Sequence, residues 1–254
     1  MAGLPPLWID GYAFGRRVLR GGDDPWTAPD ELGLFLRELS QLLSLAISDV
    51  DVTQAILAWC TLEGIDRASL DADAIEGLLA DPRFRAHVKR GIETSVGALG
   101  SRPVALALPG PGALAALFLA PDDIGEDTLD DLALSLADLL RALFRDGLSV
   151  FRFTETDARA LDFFEPLTNV ARHYEVPSIL ILKGQGGAAP GFDLVYREGE
   201  GQGDARSGLI LPAVFSEGAP GLPSGDNPLF MEVPADTVPE TALARLKQLG
   251  DRAA

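Results

Sequence analysis

Val104-Ala-Leu-Ala-Leu108, followed directly by Pro109-Gly-Pro-Gly112, is a short apolar run that ends in chain-breaking residues. A run of this kind is typical of a strand that is buried on both faces in a parallel sheet. A helix is predicted next, over residues 130–145, because leucines recur there every three or four positions. The sequence therefore predicts a strand, a tight turn and a helix near the middle of the chain.

The same pattern repeats towards the carboxyl terminus. Residues 148–153 predict a second strand, residues 157–174 a second helix and residues 177–182 a third strand. Parallel strands need crossover connections of roughly a dozen residues or more, and both helical connections are long enough. Repeated βα units predict either an α/β barrel or a doubly wound sheet, and in both folds the ligand site lies at the carboxyl ends of the strands.

The regions on either side of this unit are less regular. We expect one α/β domain over residues 1–254, with a helix-rich part at 1–100 and βα units at 101–254. The elements predicted outside the central unit are a strand at 7–9, helices at 29–46, 48–60, 73–79 and 82–99, a flexible excursion or hairpin at 184–207 around the apolar residues 192–196, strands at 208–215 and 229–233, and a helix at 239–249.

The composition argues against several classes of partner and of structural feature. The formal net charge is −17, which argues against nucleic acids and anionic membrane surfaces, because each phosphate contact would oppose the overall field. A single cysteine excludes an intramolecular disulfide and cysteine-rich metal sites. No apolar run approaches the ~20 residues of a membrane span, and no secretory signal is recognisable. We therefore expect a cytoplasmic protein.

Polar side chains at the ends of the predicted strands are the candidate site residues, since the scaffold directs them to one pocket. Glu155 and Lys183 on neighbouring strands would form an acid/base or carboxylate-binding pair, or alternatively a solvated salt bridge at the barrel mouth. The further candidates at strand ends are Asp10, Thr154, Gln185, Glu217 and Glu232.

Three further features are candidates for binding an anion, through arginine side chains or through free backbone amides. Arg152 stands inside an apolar strand, so it either pairs with a buried acid or binds an anionic ligand. The Pro109–Gly112 turn would offer amides to an anion, or is simply a tight turn. The cluster of Arg16, Arg17 and Arg20 would receive carboxylates, or would lie on the surface beside acidic residues.

Arg102-Pro-Val-Ala-Leu-Ala-Leu-Pro-Gly-Pro-Gly-Ala-Leu114 resembles the strand and Gly-Pro turn of the uroporphyrinogen decarboxylase and cobalamin-independent methionine synthase superfamily. Residues 130–147 and 149–155 fit the helix and acidic-ended strand that follow in that group. The resemblance covers roughly residues 74–184. It implies a (β/α)8 TIM-barrel-like fold, complete or with some units lost, in a divergent and shortened member whose relatives decarboxylate a tetrapyrrole or transfer methyl groups.

The chain also departs from this superfamily. Gly15-Arg-Arg17 is only a partial match to the arginine-rich amino-terminal motif of the decarboxylases. The zinc-dependent methyltransferases use a His-x-Cys pair with later ligands, whereas this chain contains only Cys60, His87 and His173, without that spacing. A zinc site of that kind is therefore not expected.

Two functions follow as expectations. The first is a zinc-independent decarboxylase or methyl- or C1-group transferase that acts on a small carboxylated or methylated molecule, with Arg152 and Lys183 holding the anion and Glu155 as acid/base. No cofactor of its own is expected, and a corrinoid or folate would be a substrate. The second is a non-catalytic barrel that serves as a binding or assembly subunit. Family behaviour adds the expectation of a homodimer.

Overall fold

A computed structural model describes residues 4–184, 187–198, 207–211, 215 and 227–253. Its strands form one parallel sheet in the order β1-β8-β7-β6-β5-β4-β3-β2, which curves into a nearly closed (β/α)8 TIM-barrel-like fold. The strands are β1 Leu7–Asp10, β2 Ser48–Asp51, β3 Val104–Pro109, β4 Val150–Glu155, β5 Ser178–Leu182, β6 Leu194–Glu198, β7 Ser207–Ile210 and β8 Leu229–Glu232.

The helices cover the barrel unevenly. They occur in every connection from β1 to β5 and again after β8, whereas the residues described between β5 and β8 contain no helix. Within the described residues the helices are α1 Tyr12–Arg20, α2 Pro29–Leu43, α3 Val52–Glu63, α4 Ala72–Ala80, α5 Pro82–Leu99, α6 Pro111–Ala115, α7 Glu126–Leu143, α8 Glu165–His173 and α9 Pro239–Ala253. None of them combines the length and apolar character needed to cross a bilayer.

Local sequence explains the best-defined of these helices. α7 buries a leucine stripe against the sheet, and acidic residues in its first turn suit the helix dipole. α3 begins after Asp51, whose side chain accepts hydrogen bonds from the amides of Thr53 and Gln54. α2 and α5 pack closely at Gly33, where a β-carbon would lie 2.1 Å from the carbonyl oxygen of Thr94. The helix-rich start of the chain is thus packed as part of the barrel wall.

The pleat of the strands separates two apolar layers. Alternate residues point into the barrel, where they form a small interior core, while their neighbours point out towards the helices. On β4 this rule directs Val150, Arg152 and Thr154 inwards. The buried interior core consists of Trp8, Ile47, Ala105, Val150, Ile179, Ile181, Leu194, Tyr196, Ile210 and Phe230.

The ladder is interrupted at one junction. β1 pairs with β8 and β2 pairs with β3, but in the described sheet β1 and β2 share no backbone ladder. Side chains span this gap instead: the Trp8 indole Nε1 donates to Asp49 Oδ2 at 3.1 Å. We call this junction, with the side chains that cross it, the β1–β2 seam.

The expected barrel is confirmed, and the clearest differences from the sequence prediction are two short strands. Residues 48–51 form β2 rather than the start of a helix, because Asp49 and Asp51 point inwards while Ser48 and Val50 pack outwards. Residues 194–198 form β6, which runs parallel to β5 and β7, so the excursion or hairpin predicted for residues 184–207 is wrong over this stretch. Both errors arose in short strands with polar or glycine-rich flanks.

Candidate functional site

An open cavity of about 620 Å³ lies at the carboxyl ends of the strands. This is the edge at which barrel enzymes and barrel binding proteins carry their ligands. Its charged lining comes from five strand ends and from α1, and consists of Asp10, Arg16, Arg17, Asp51, Arg152, Lys183 and Glu232. Six predicted site residues therefore line this cavity: Asp10, Arg17, Arg152, Thr154, Lys183 and Glu232.

The floor of the cavity is a network centred on Arg152. Its side chain is 3% exposed, and its Nη2 donates to Asp10 Oδ2 at 3.1 Å. Its Nε lies 3.3 Å from Asp49 Oδ1 in a second ion pair. Ala107 is the register neighbour of Arg152 on β3, and its small side chain leaves the interior open for the guanidinium to reach β1 and β2. Of the two outcomes expected for Arg152, internal pairing is the one observed.

The floor holds more carboxylates than cations. Asp10, Asp49 and Asp51 surround the single guanidinium of Arg152, and Glu232 stands beside Asp10 in strand register. Burial alone would lower the pKa of Arg152, but these four carboxylates raise it above its ordinary value. Like charges this close together destabilise a sheet, so their convergence points to a binding role.

Two of these carboxyl groups are poised to titrate near neutral pH. Burial raises the pKa of Asp49 to about 7, with Arg152 opposing the shift and Asp10 adding to it. The same causes raise the pKa of Asp51 to about 6. Asp51 lines the cavity, whereas Asp49 lies two residues deeper on β2, about 6.6 Å towards the amino end of the strand.

The rim of the cavity is different, because its charges are exposed to solvent. Lys183 Nζ forms an ion pair with Glu232 Oε1 at 2.6 Å. Arg16 lies 3.4 Å from Asp24 Oδ2. Arg17 donates to the backbone carbonyl oxygen of Thr237 and, among the described residues, makes no ion pair.

The predicted pairing of Glu155 with Lys183 is wrong. The strand extends to Glu155, so the pleat directs this side chain away from Thr154 and out of the barrel, where it is fully buried. Its carboxylate accepts hydrogen bonds from the backbone amides of Gly112, Thr156 and Asp157. Glu155 is not among the residues that line the cavity.

The Pro109–Gly112 turn therefore does bind an anion, but this anion is the carboxylate of Glu155 and not a ligand. Gly112 donates its amide to Glu155 Oε2 at 3.0 Å. A β-carbon on Gly110 would lie 2.4 Å from Glu155 Oε2, and one on Gly112 would lie 2.8 Å from Oε1, so only glycine leaves room. Burial outweighs the three amides and raises the pKa of Glu155 to about 7.

Two of the predicted site residues lie outside the described part of the chain, and two residues of the cavity floor were not predicted from the sequence. Gln185 and Glu217 lie outside the described residues. Asp49 and Asp51 were missed because residues 48–60 were interpreted as a helix. The alternation of Ser48-Asp-Val-Asp51 was the available signal, since it predicts a strand with two carboxylates on one face.

The acidic residues of the floor do not form a metal centre. Within the described residues, no group of three or more histidine, cysteine or acidic side chains is arranged to hold a metal ion. Comparison with known proteins finds no matching family model and no significantly similar curated protein. The chemistry of this site has to be inferred from its own side chains.

Proposed function

We propose that this protein is an enzyme that binds a small carboxylated molecule in the strand-end cavity and decarboxylates it or transfers a one-carbon group. One feature carries the proposal: the cavity contains an arginine, Arg17, without an acidic partner among the described residues, and a carboxyl group, Asp51, whose pKa burial raises to about 6. The superfamily resemblance of residues 74–184 supports the same reaction class.

Arg17 supplies the charge that an anionic substrate needs. It lies on α1, directly after β1, and the only hydrogen bond of its side chain in the described structure goes to a neutral carbonyl oxygen. A guanidinium binds a carboxylate through two parallel hydrogen bonds, which gives geometric specificity as well as affinity. Lys183 and Arg152 are already paired with acids, so Arg17 is the cation that a substrate can engage without displacing a protein carboxylate.

Asp51 supplies a proton in the decarboxylation branch of the proposal. When the bond between a carbon and its carboxylate breaks, CO₂ leaves and the electron pair stays on the carbon, which must then accept a proton. Asp51 Oδ1 is held by the amides of Thr53 and Gln54, which leaves Oδ2 to carry that proton. A pKa of about 6 places the group close to the operating range of a general acid.

The test combines binding with turnover. Purified protein is screened by thermal shift against small carboxylates, tetrapyrrole acids, folates, corrinoids and thiols, and positive compounds are assayed for CO₂ release and for methyl transfer. Ligand bound to the native state raises the melting temperature. We expect Arg17→Ala to abolish the shift and Asp51→Asn to retain it while losing turnover. Arg37→Ala, an exposed arginine outside the cavity lining, is the matched control and should behave like the parent.

A non-catalytic binding subunit is the second candidate, and the internal pairing of Arg152 favours it. In that case a carboxylate would bind through Arg17, and neither CO₂ nor a transferred methyl group would be detected with any bound compound. A small molecule is the partner that we propose under either function. Absence of any thermal shift in a well-folded parent would contradict both functions.

A further inference from the structure

The β1–β2 seam lies directly beneath the cavity and is closed by side chains. Trp8 is completely buried in the interior core, and its indole N–H donates to Asp49 Oδ2. The other carboxyl oxygen, Asp49 Oδ1, faces Arg152 but accepts no hydrogen bond in the described structure. Asp49 is thus the residue through which the seam and the cavity floor are connected.

The indole fixes which way this carboxyl group faces. Because Oδ2 is held by Trp8, Oδ1 is the oxygen that is turned towards Arg152 and forms the ion pair with its Nε. Tryptophan is a donor only, so this hydrogen bond favours the ionised carboxylate over the protonated acid. Removal of the indole N–H would therefore release the carboxyl group and stabilise its protonated form.

The charge of Asp49 interacts with other charged groups of the floor. Asp10 on β1, Asp51 on β2 and Arg152 on β4 act on Asp49 directly, and Glu232 on β8 acts on Arg152. When Asp49 is ionised, it neutralises part of the Arg152 charge and adds negative potential below the cavity. When Asp49 is protonated, the field above the floor becomes more favourable to an anion.

We propose that Trp8 is a positioning residue whose indole N–H orients the Asp49 carboxyl group and sets the pH range over which the cavity accepts an anionic ligand. The first half of this proposal depends on the seam alone, whereas the second half rests on the proposed carboxylate-binding function. Anion affinity should fall as pH rises through the titration of Asp49. Without the indole N–H, that fall should occur at higher pH.

The chain offers a matched control for this hydrogen bond. Trp26 is also completely buried, but its Nε1 has no hydrogen-bond partner in the described structure. Trp8→Phe and Trp26→Phe remove the same atoms from buried tryptophans, and only the first removes a hydrogen bond. Any effect of lost volume alone should therefore appear in both variants.

The deciding measurement is an NMR titration of protein labelled with ¹³C at the aspartate γ-carbon. The Asp49 signal is assigned by its absence in Asp49→Asn. We expect its midpoint near 7 in the parent and in Trp26→Phe, and about one pH unit higher in Trp8→Phe, as for the loss of one hydrogen bond to a charged group. Equal midpoints in the parent and in Trp8→Phe would overturn the positioning role.

A second measurement uses the unaltered protein, in case Trp8→Phe does not fold. The indole ¹H–¹⁵N signal of Trp8, assigned by elimination with Trp26→Phe and Trp59→Phe, should move with the same midpoint as Asp49. A Trp8 signal that is independent of this titration would overturn the proposal.

Binding of acetate and succinate, measured across the same pH range, tests the functional half. Parallel shifts of the binding midpoint and the Asp49 midpoint in Trp8→Phe would support it. A shifted Asp49 midpoint without binding of acetate or succinate would overturn the functional half and leave the positioning role intact.

Discussion

β4 contains two buried charged side chains, and the protein stabilises them in opposite ways. Arg152 faces the barrel interior and is balanced by the side chains of Asp10 and Asp49. Glu155, three residues later, faces the helix layer and is balanced by backbone amides, including that of Gly112. Odd spacing along a strand places two residues on opposite faces, so these neighbours belong to two separate environments.

The two charges differ in whether a ligand can replace the groups that balance them. The amides around Glu155 are fixed by the turns after β3 and β4, and a ligand cannot replace them without unfolding these turns. The carboxylates around Arg152 are side chains beside an open cavity, and they outnumber their counter-charge. Such a network can change its pairing when a ligand enters, and it therefore has the properties of a binding site.

Removal of Arg152 should have the largest effect on stability. Arg152→Ala leaves Asp10 and Asp49 buried without a counter-charge, and the loss of one partner from a buried ion pair costs about 3–5 kcal/mol. Urea unfolding of the variant measures this loss. Addition of Asp49→Asn to Arg152→Ala should restore part of the lost free energy of unfolding. If Arg152→Ala lost no more stability than Arg37→Ala, the floor would not be a charge-balanced network.

The packing around the Glu155 carboxylate should be sensitive to the addition of a single methyl group. Gly112→Ala places a β-carbon 2.8 Å from Glu155 Oε1, and overpacking of this kind costs about 1–3 kcal/mol. Gly97→Ala is the control, because its β-carbon meets no atom within 4 Å. Chemical denaturation compares the two variants. Carboxylate binding should be unchanged in Gly112→Ala, and a loss of binding would mean that the two faces of β4 are coupled.

The smallest effect is expected at the rim. Lys183→Met breaks the ion pair with Glu232, whose side chain is 48% exposed, and exposed pairs contribute about 0–1 kcal/mol. Thermal unfolding should show little change. A loss as large as that of Arg152→Ala would place Lys183 in the buried network and remove the distinction between floor and rim.

The sequence contained enough information for the barrel and for six residues of the cavity lining. Apolar runs between chain-breaking residues identified β3, β4 and β5. The side chains at the ends of strands were placed correctly wherever the predicted strand boundary was correct, because alternate residues then point to the same face. Glu155 was misplaced because the strand was expected to end at Phe153. Counting alternate residues from Arg152 to the true end of β4 directs Glu155 outwards.

The floor was harder to predict because its members come from distant parts of the chain. Asp49 was assigned to a helix, and nothing in the local sequence indicates that Arg152 would reach across the interior to β1 and β2. That contact depends on the small Ala107 beside Arg152 and on the closure of the barrel, which are properties of the assembled sheet. Propensity and periodicity describe single elements and contain no information about such long-range contacts.

The missing ladder between β1 and β2 has a consequence for biosynthesis. In the described sheet, the backbone partner of β1 is β8 alone, with Leu7 opposite Leu229. A ribosome releases β1 before the other strands of the described sheet, and β1 must then wait until β8 has been synthesised before its hydrogen-bonding partner emerges. Long-range pairing of this kind is slow and leaves an unpaired edge exposed in the meantime. The last step of folding should therefore be the docking of β1 between β8 and the side chains of the seam, which completes the cavity at the same moment.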